Sequence, residues 1–246
     1  MTNYIRLPLK NAYNVRDLGG YPCNGGVTRW KQFVRADDLG RLDECDMQLL
    51  INYGIRTVID LRSANELAAS PSPFASSDVV KYINIPLIPG EAADVTKLTE
   101  APPADFLPNF YLLILKNGGN AIKKVMETIA NAAAGGTLFH CAAGKDRTGI
   151  VAALILELAG VCRADIISNY EVTHTYIMKN PNFITQMNER KIPIEYIYSN
   201  REYLQPTLDY IAELGGIQSY LESIGVSAET MNRVIGLTVE HSPTTL

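Results

Sequence analysis

The chain has 246 residues, 47% hydrophobic and 20% charged, a composition ordinary for a globular protein of one large or two small domains. A formal net charge of −4 argues against a surface that coats nucleic acid or anionic membrane, because such binding draws on many exposed Lys and Arg. Any anion handled here has to be held by a local positive site. Cys23, Cys45, Cys141 and Cys162 are scattered without a CxxC, so neither a zinc site nor a disulfide framework is indicated and a reducing compartment is expected. The opening stretch MTNYIRLPLKNAYNVRDLGG has no apolar signal core, and no run is long enough to span a bilayer. A cytoplasmic location is expected, with export by a route lacking a cleaved signal left open.

Asn24-Gly25 supplies the positive φ angles of a tight turn and predicts a hairpin whose second arm covers about 27–35. LDECDMQLLINYG follows with early acidic residues, an apolar stripe of Leu42, Met47, Leu49, Leu50 and Ile51, and Gly54 as a helix stop. IRTVIDLRS is β-branched and nearly continuously apolar, as a strand buried on both faces should be. Ser63 and Glu66 have capping-box spacing, so a short helix starts there; VVKYINIPL is the next strand, ended by Pro86. Residues 89–108, rich in Pro, Ala and acids, predict a long loop. Helices over about 106–116 and 120–133 and the strand TLFH come next, then the almost wholly apolar helix TGIVAALILELAGV, expected at the centre of the molecule. From residue 163 only helices are predicted, broken near Pro181, Pro193, Gly215-Gly216 and Gly225. The expected architecture is one α/β domain over 1–246, with a central, mainly parallel sheet flanked by helices and a helical C-terminal third. The portion at about 163–240, with the loop at 89–109, is a candidate mobile lid.

The chemistry concentrates in HCAAGKDRTG, residues 140–149. Cys141 and Arg147 are separated by five residues in a strand-to-helix turn containing Gly144, short enough for backbone N–H groups to surround one tetrahedral anion. The helix starting near Thr148 aims its positive end at the same point, and the planar fork of Arg147 can bind two phosphate oxygens at once. That field also favours a thiolate at Cys141, so attack on phosphorus, a phosphocysteine intermediate and its hydrolysis are the implied reaction. Ala142, Ala143, Gly144, Lys145 and Thr148 supply the cradle, Thr148 by hydrogen bonding the sulfur as it leaves. No metal or other cofactor is needed. A Walker-type loop fails, because Phe139 and Asp146 occupy positions that need Gly and Ser or Thr. A buried structural cysteine leaves the Gly, Arg and Thr offsets unexplained. A rhodanese-like loop requires neither the His-Cys start nor the Arg-Thr end, and a catalytically dead phosphate reader usually loses the nucleophile.

His-Cys followed, after five residues, by Arg-Thr resembles the loop of cysteine-dependent tyrosine and dual-specificity phosphatases. With NVRDLGGY (residues 14–21) and GIRTVIDLRS (residues 54–63), the chain more closely resembles the bacterial and fungal tyrosine/serine phosphatase family, from about residue 11 to about 240. The resemblance implies a dual-specificity-phosphatase-like fold, phosphotyrosine-containing proteins as substrates and inorganic phosphate as product. It also implies Asp146 as general acid. A carboxyl group beside a thiolate and a phosphate dianion tends to keep its proton, which favours that role, although Asp146 could merely brace the loop; Asp94 and Asp105 are the alternatives by position. Lys145 in GK spacing looks like lipid-phosphatase loops, where such a lysine meets a second phosphate, so phosphoinositides are the second substrate class.

Asp60 and Arg62 fall at the carboxyl end of a predicted parallel strand, where they either line the pocket and orient Asp146 or Arg147 or form a structural ion pair. Arg16 and Asp17 read as a loop lock. His140 is expected to hydrogen bond the loop backbone rather than act as a base.

Overall fold

The computed structural model describes residues 2–88 and 102–241; residues 89–101 of the loop expected at 89–108, with Asp94, lie outside them. β1 (Arg16–Asp17) is followed by a hairpin of β2 (Pro22–Cys23) and β3 (Gly26–Thr28), which pairs Cys23 with Gly26 across Asn24-Gly25. Its second arm is shorter than expected. The chain turns at Lys31, whose φ is 65° and whose amide donates to Asp17 Oδ2 at 2.8 Å, and re-enters as a separate strand, β4 (Phe33–Ala36). α1 (Glu44–Tyr53) is capped by the Asp43 side chain and stopped by Gly54 at φ 115°. β5 (Ile55–Asp60) leads into α2 (Ala64–Ala69), which begins on the complete Ser63/Glu66 capping box, and then β6 (Lys81–Asn84).

The helix expected from about 106 starts earlier, at 103, inside the stretch expected as loop. α3 (Pro103–Asn117) opens on Pro103, where the missing N–H would have had no intrahelical partner, and it accommodates Pro108. α4 (Gly119–Ala130), β7 (Gly136–His140) and the buried α5 (Asp146–Leu158) follow as patterned. The C-terminal helices are α6 (Arg163–Glu171), α7 (Thr173–Ile177), α8 (Pro181–Glu189), α9 (Arg201–Glu213), α10 (Ile217–Ser223) and α11 (Ala228–Thr238). The all-helical expectation fails at the end, where β8 (Val239–His241) pairs antiparallel with β3 and makes a small β2-β3-β8 sheet. Three residues carry no readable period, so the edge of β3 defines this strand.

The main sheet has the order β1-β4-β7-β5-β6, with β4, β7, β5 and β6 parallel and β1 antiparallel. Alternation sends Val34, Leu138 and Val58 into one hydrophobic cluster and Phe33, Phe139 and Ile59 into the other, so the central strands are buried on both faces. In register, Ala36 and Asp60 flank His140, which brings three strand ends to one edge of the sheet. Among the described residues, no helix is long and apolar enough to cross a membrane.

Candidate active site

Cys141 leaves β7 at that edge, 2% exposed. Each carbonyl from 141 to 145 is engaged on the outside of the loop. His140 Nδ1 faces the Cys141 oxygen at 3.2 Å, and the Asp38 amide donates to Ala142 at 2.9 Å. Asn14 Nδ2 donates to the carbonyls of both Ala143 and Gly144 at 3.1 Å, Arg35 Nη2 donates to that of Gly144 at 2.7 Å, and the Gly149 amide donates to that of Lys145 at 2.8 Å. Because a trans peptide sets C=O and N–H in opposite directions, outward carbonyls turn the following amides inward. The amides of 142–147 donate to no group among the described residues, and the first turn of α5 has no side-chain cap. The result is a ring of backbone donors at a helix N-terminus, shaped for a tetrahedral anion above the sulfur.

Gly144 (φ 65°) is the pivot of this turn. Asn14 is itself fixed: its amide donates to Asp37 Oδ1 at 2.9 Å, and its side-chain oxygen accepts from Arg16 Nε at 3.1 Å. Arg16 continues to the Asn169 carbonyl and Thr173 Oγ1, while Asp17 accepts from Gly19, Lys31 and Tyr53, so both residues lock the segment that carries Asn14.

Among the described residues, Arg35, Lys145 and Arg147 lie within electrostatic reach of the Cys141 sulfur. Arg35 is fully buried and makes no ion pair among the described residues; burial lowers its pKa to about 10, against the pull of Cys141. Nothing in the sequence pattern marked it. Arg147 is gripped by Glu66 of α2 through two parallel bonds of 2.7 Å, Nη1 to Oε2 and Nη2 to Oε1. Its Nε and the remaining Nη protons stay available for an anion. This pairing corrects the expectation that Asp60 or Arg62 orients Arg147. Asp60 binds Arg62 through Nε and Nη2 and accepts from Tyr82, while Arg62 also reaches Asp38 at 2.7 Å. Asp60 and Arg62 are 0% and 1% exposed and do not line the cavity described below.

Burial raises the pKa of Glu66, but the hydrogen bonds and charge of Arg147 outweigh it and bring the value down to about 2 from the ordinary 4.5. A depressed carboxylate stabilises its pair fully above the ordinary value and loses that contribution only as pH falls toward 2. The activity profile of the wild type should therefore carry no acid limb from Glu66 above about pH 3. Glu66→Ala is expected to lower kcat/KM about 10- to 100-fold by freeing the guanidinium, with Glu66→Gln losing less because it keeps one acceptor. Equal kcat/KM in wild type and Glu66→Ala would refute the positioning.

Lys145 is buried rather than placed at a rim. Its Nζ donates to the carbonyls of Tyr196 and of Tyr198 (3.2 Å), beyond α8, and lies 3.3 Å from Asp146 Oδ1. Burial lowers its pKa, with Asp146 and Cys141 opposing. Asp146 is partly open, its side chain 27% exposed, and its Oδ1 accepts from Tyr111 Oη. Asp105 is exposed in the first turn of α3 and outside the cavity lining. Thr148 Oγ1 is buried without a hydrogen bond to any described group, the sulfur included. His140 Nε2 lies 3.2 Å from Asp60 Oδ2 without meeting hydrogen-bond geometry, and Nδ1 faces the Cys141 carbonyl, so neither ring nitrogen is turned toward the cavity.

Above the loop lies a cavity of about 510 Å³ whose floor is formed by Cys141, Ala142, Ala143 and Arg147, with Lys145 and Asp146 beside them. One wall is Phe106, Leu107, Phe110 and Leu113 of α3; the other is Ile177, Phe183, Met187 and Tyr196 from the C-terminal helices. Phe106 stacks on Phe110 with ring centroids 5.5 Å apart and meets Tyr196 edge-on at 6.2 Å. The deep end is thus cationic and amide-lined, and the walls are aromatic and aliphatic.

The sequence model of the tyrosine phosphatase family matches residues 7–237. A tyrosine-protein phosphatase of Nostoc commune is 35% identical over 223 residues, covering 86% of this chain and 76% of that protein. The triple specificity protein phosphatase PtpB of Mycobacterium tuberculosis is 26% identical, over 93% of this chain and 97% of its own length. The solved structure of TpbA from P. aeruginosa shares 14% identity over 64% of this chain and 87% of its own, at a TM-score of 0.31. With the match running from before Asn14 to the end of α11, the chain belongs to the tyrosine phosphatase family.

Proposed function

We propose that this protein hydrolyses phosphotyrosine in proteins through a phosphocysteine intermediate, without a metal. The observation that carries the reading is the set of amides at 142–147 that have no partner among the described residues, around a buried cysteine that continues a strand. Cys141 Sγ attacks phosphorus, the bond from phosphorus to the tyrosyl oxygen breaks, and Asp146 gives its proton to that oxygen. Water then attacks phosphorus, Asp146 takes a proton from it, and the thiolate leaves with inorganic phosphate released. The loop amides and the free edge of Arg147 bind the non-bridging oxygens throughout. The aromatic wall of Phe106 and Phe110 suits a phenyl ring held upright over the sulfur. Four unpaired cysteines fit a cytoplasmic, thiol-preserving setting. The whole chain from 1 to 246 acts as one catalytic domain, with the helices after 163 supplying a wall of the site.

The test is phosphate release in EDTA from a phosphotyrosine peptide, a phosphoserine peptide and soluble phosphoinositides, with Cys141→Ser as the blank for each. Cysteine-dependent turnover highest on the phosphotyrosine peptide is the expected result. Preference for phosphoinositides would overturn it in favour of lipid substrates, a class not supported by Lys145, whose ammonium is already committed to backbone carbonyls. The acid is tested separately: Asp146→Ala should slow an alkyl phosphate about 10²-fold but p-nitrophenyl phosphate only a few-fold, since nitrophenolate leaves without a proton. Equal losses on both substrates would remove Asp146 from that role.

A further inference from the structure

Asp146 is anchored from behind, away from the cavity. Its Oδ1 accepts from Tyr111 Oη at 2.5 Å and lies 3.3 Å from Lys145 Nζ, while Oδ2 accepts no hydrogen bond among the described residues. Tyr111 Oη is also 2.6 Å from Tyr170 Oη. The rings of Tyr111 on α3 and Tyr170 on α6 meet edge-on with centroids 6.1 Å apart, 0% and 1% exposed, and neither lines the cavity. Substrate therefore touches neither phenol. Burial, with the charge of Asp146 adding to it, pushes both hydroxyls well above the ordinary tyrosine range, so each keeps its proton. The single proton of Tyr111 goes to Asp146, which leaves Tyr170 to donate to Tyr111. The chain of bonds has one direction: Tyr170 to Tyr111 to Asp146.

We propose that Tyr111, backed by Tyr170, is the positioning residue of the general acid. It holds Asp146 so that Oδ2 carries the proton toward the leaving oxygen, and it stabilises the carboxylate that remains once that proton has gone. The inference rests on the acid role given to Asp146 above. Directed donors of this kind reinforce one another, so losing the outer member should weaken the inner bond less than losing the inner member itself.

The experiment compares kcat and KM of Tyr111→Phe, Tyr170→Phe and Asp146→Ala on a phosphotyrosine peptide and on p-nitrophenyl phosphate. Tyr111→Phe is expected to lower kcat on the peptide about tenfold, with KM held within about twofold and nitrophenyl turnover reduced less than about threefold. Tyr170→Phe should move in the same direction by about two- to threefold. In Tyr111→Phe the basic limb of the kcat profile should shift to higher pH, because the carboxylate has lost a donor. Equal losses on the two substrates, or no loss on either, overturn the proposal. If Asp146→Ala discriminates between the substrates and Tyr111→Phe does not, the positioning role alone falls; if Asp146→Ala does not discriminate, the acid role falls and takes the positioning with it. Should Tyr111→Phe fail to fold, as read by thermal melting, the substrate ratio of Tyr170→Phe decides the question.

Discussion

Cys141→Ser is expected to lower turnover of every phosphomonoester by about 10⁴-fold or more while leaving the fold and the phosphate cup in place. The exchange is nearly isosteric at a position 2% exposed, and the contacts that shape the loop run through carbonyls and not through the sulfur. What is lost is the proposed nucleophile. A serine hydroxyl needs a base, and the neighbouring imidazole is no help: His140 Nε2 faces Asp60 and Nδ1 faces the Cys141 carbonyl. Asp146, assigned as an acid, is held by Tyr111 and Lys145. Phosphopeptide binding without release, measured by calorimetry, should accompany the loss. Residual turnover within about tenfold of wild type would mean that phosphorus is attacked by something other than Cys141.

Gly144→Ala is expected to cost both activity and stability. At φ 65° an L-residue carries about 1–2 kcal/mol of strain. A Cβ built there would also stand 2.5 Å from the Ala36 carbonyl oxygen and 2.8 Å from the Asp37 amide nitrogen, both backbone atoms of the strand end beside the loop. Neither can move without opening β4 from β7, so the loop has to shift instead. That releases the Gly144 carbonyl from Asn14 and Arg35 and misaims the amides that follow. Losing one or two such donors is worth about 10²- to 10³-fold in kcat. A fall in Tm of about 2–8 °C should accompany it for a domain of this size. An unchanged Tm with full activity would show that the loop is not held by these carbonyl contacts.

Local patterns were legible because their physics is local. The cysteine loop between a strand and a helix, the Ser63/Glu66 box and the Gly54 stop each depend on residues within a few positions of one another, and each stands where the pattern put it. Asp60 and Arg62 show the limit of that reasoning. Their position at a strand end drew them toward the site, yet their charges are absorbed by each other, Asp38 and Tyr82. Lys145 next to Gly144 likewise read as a rim cation until carbonyls more than fifty residues later closed over it.

The sequence alone determined that a His-Cys to Arg-Thr loop joins a strand to a helix and that the sheet is mainly parallel, because a contiguous motif and hydrophobic periods of two and 3.6 encode those things directly. Only the tertiary structure decided what holds that motif in working shape. Glu66 meets Arg147 across 81 residues, Arg35 meets Gly144 across 109 and Asn14 meets it across 130, while Tyr111 reaches Asp146 across 35. Pairings at such separations have no period and no fixed offset; they exist because parallel strands and crossing helices bring distant backbone ends to one edge of the sheet, and buried polar groups there take whichever partner the packing supplies.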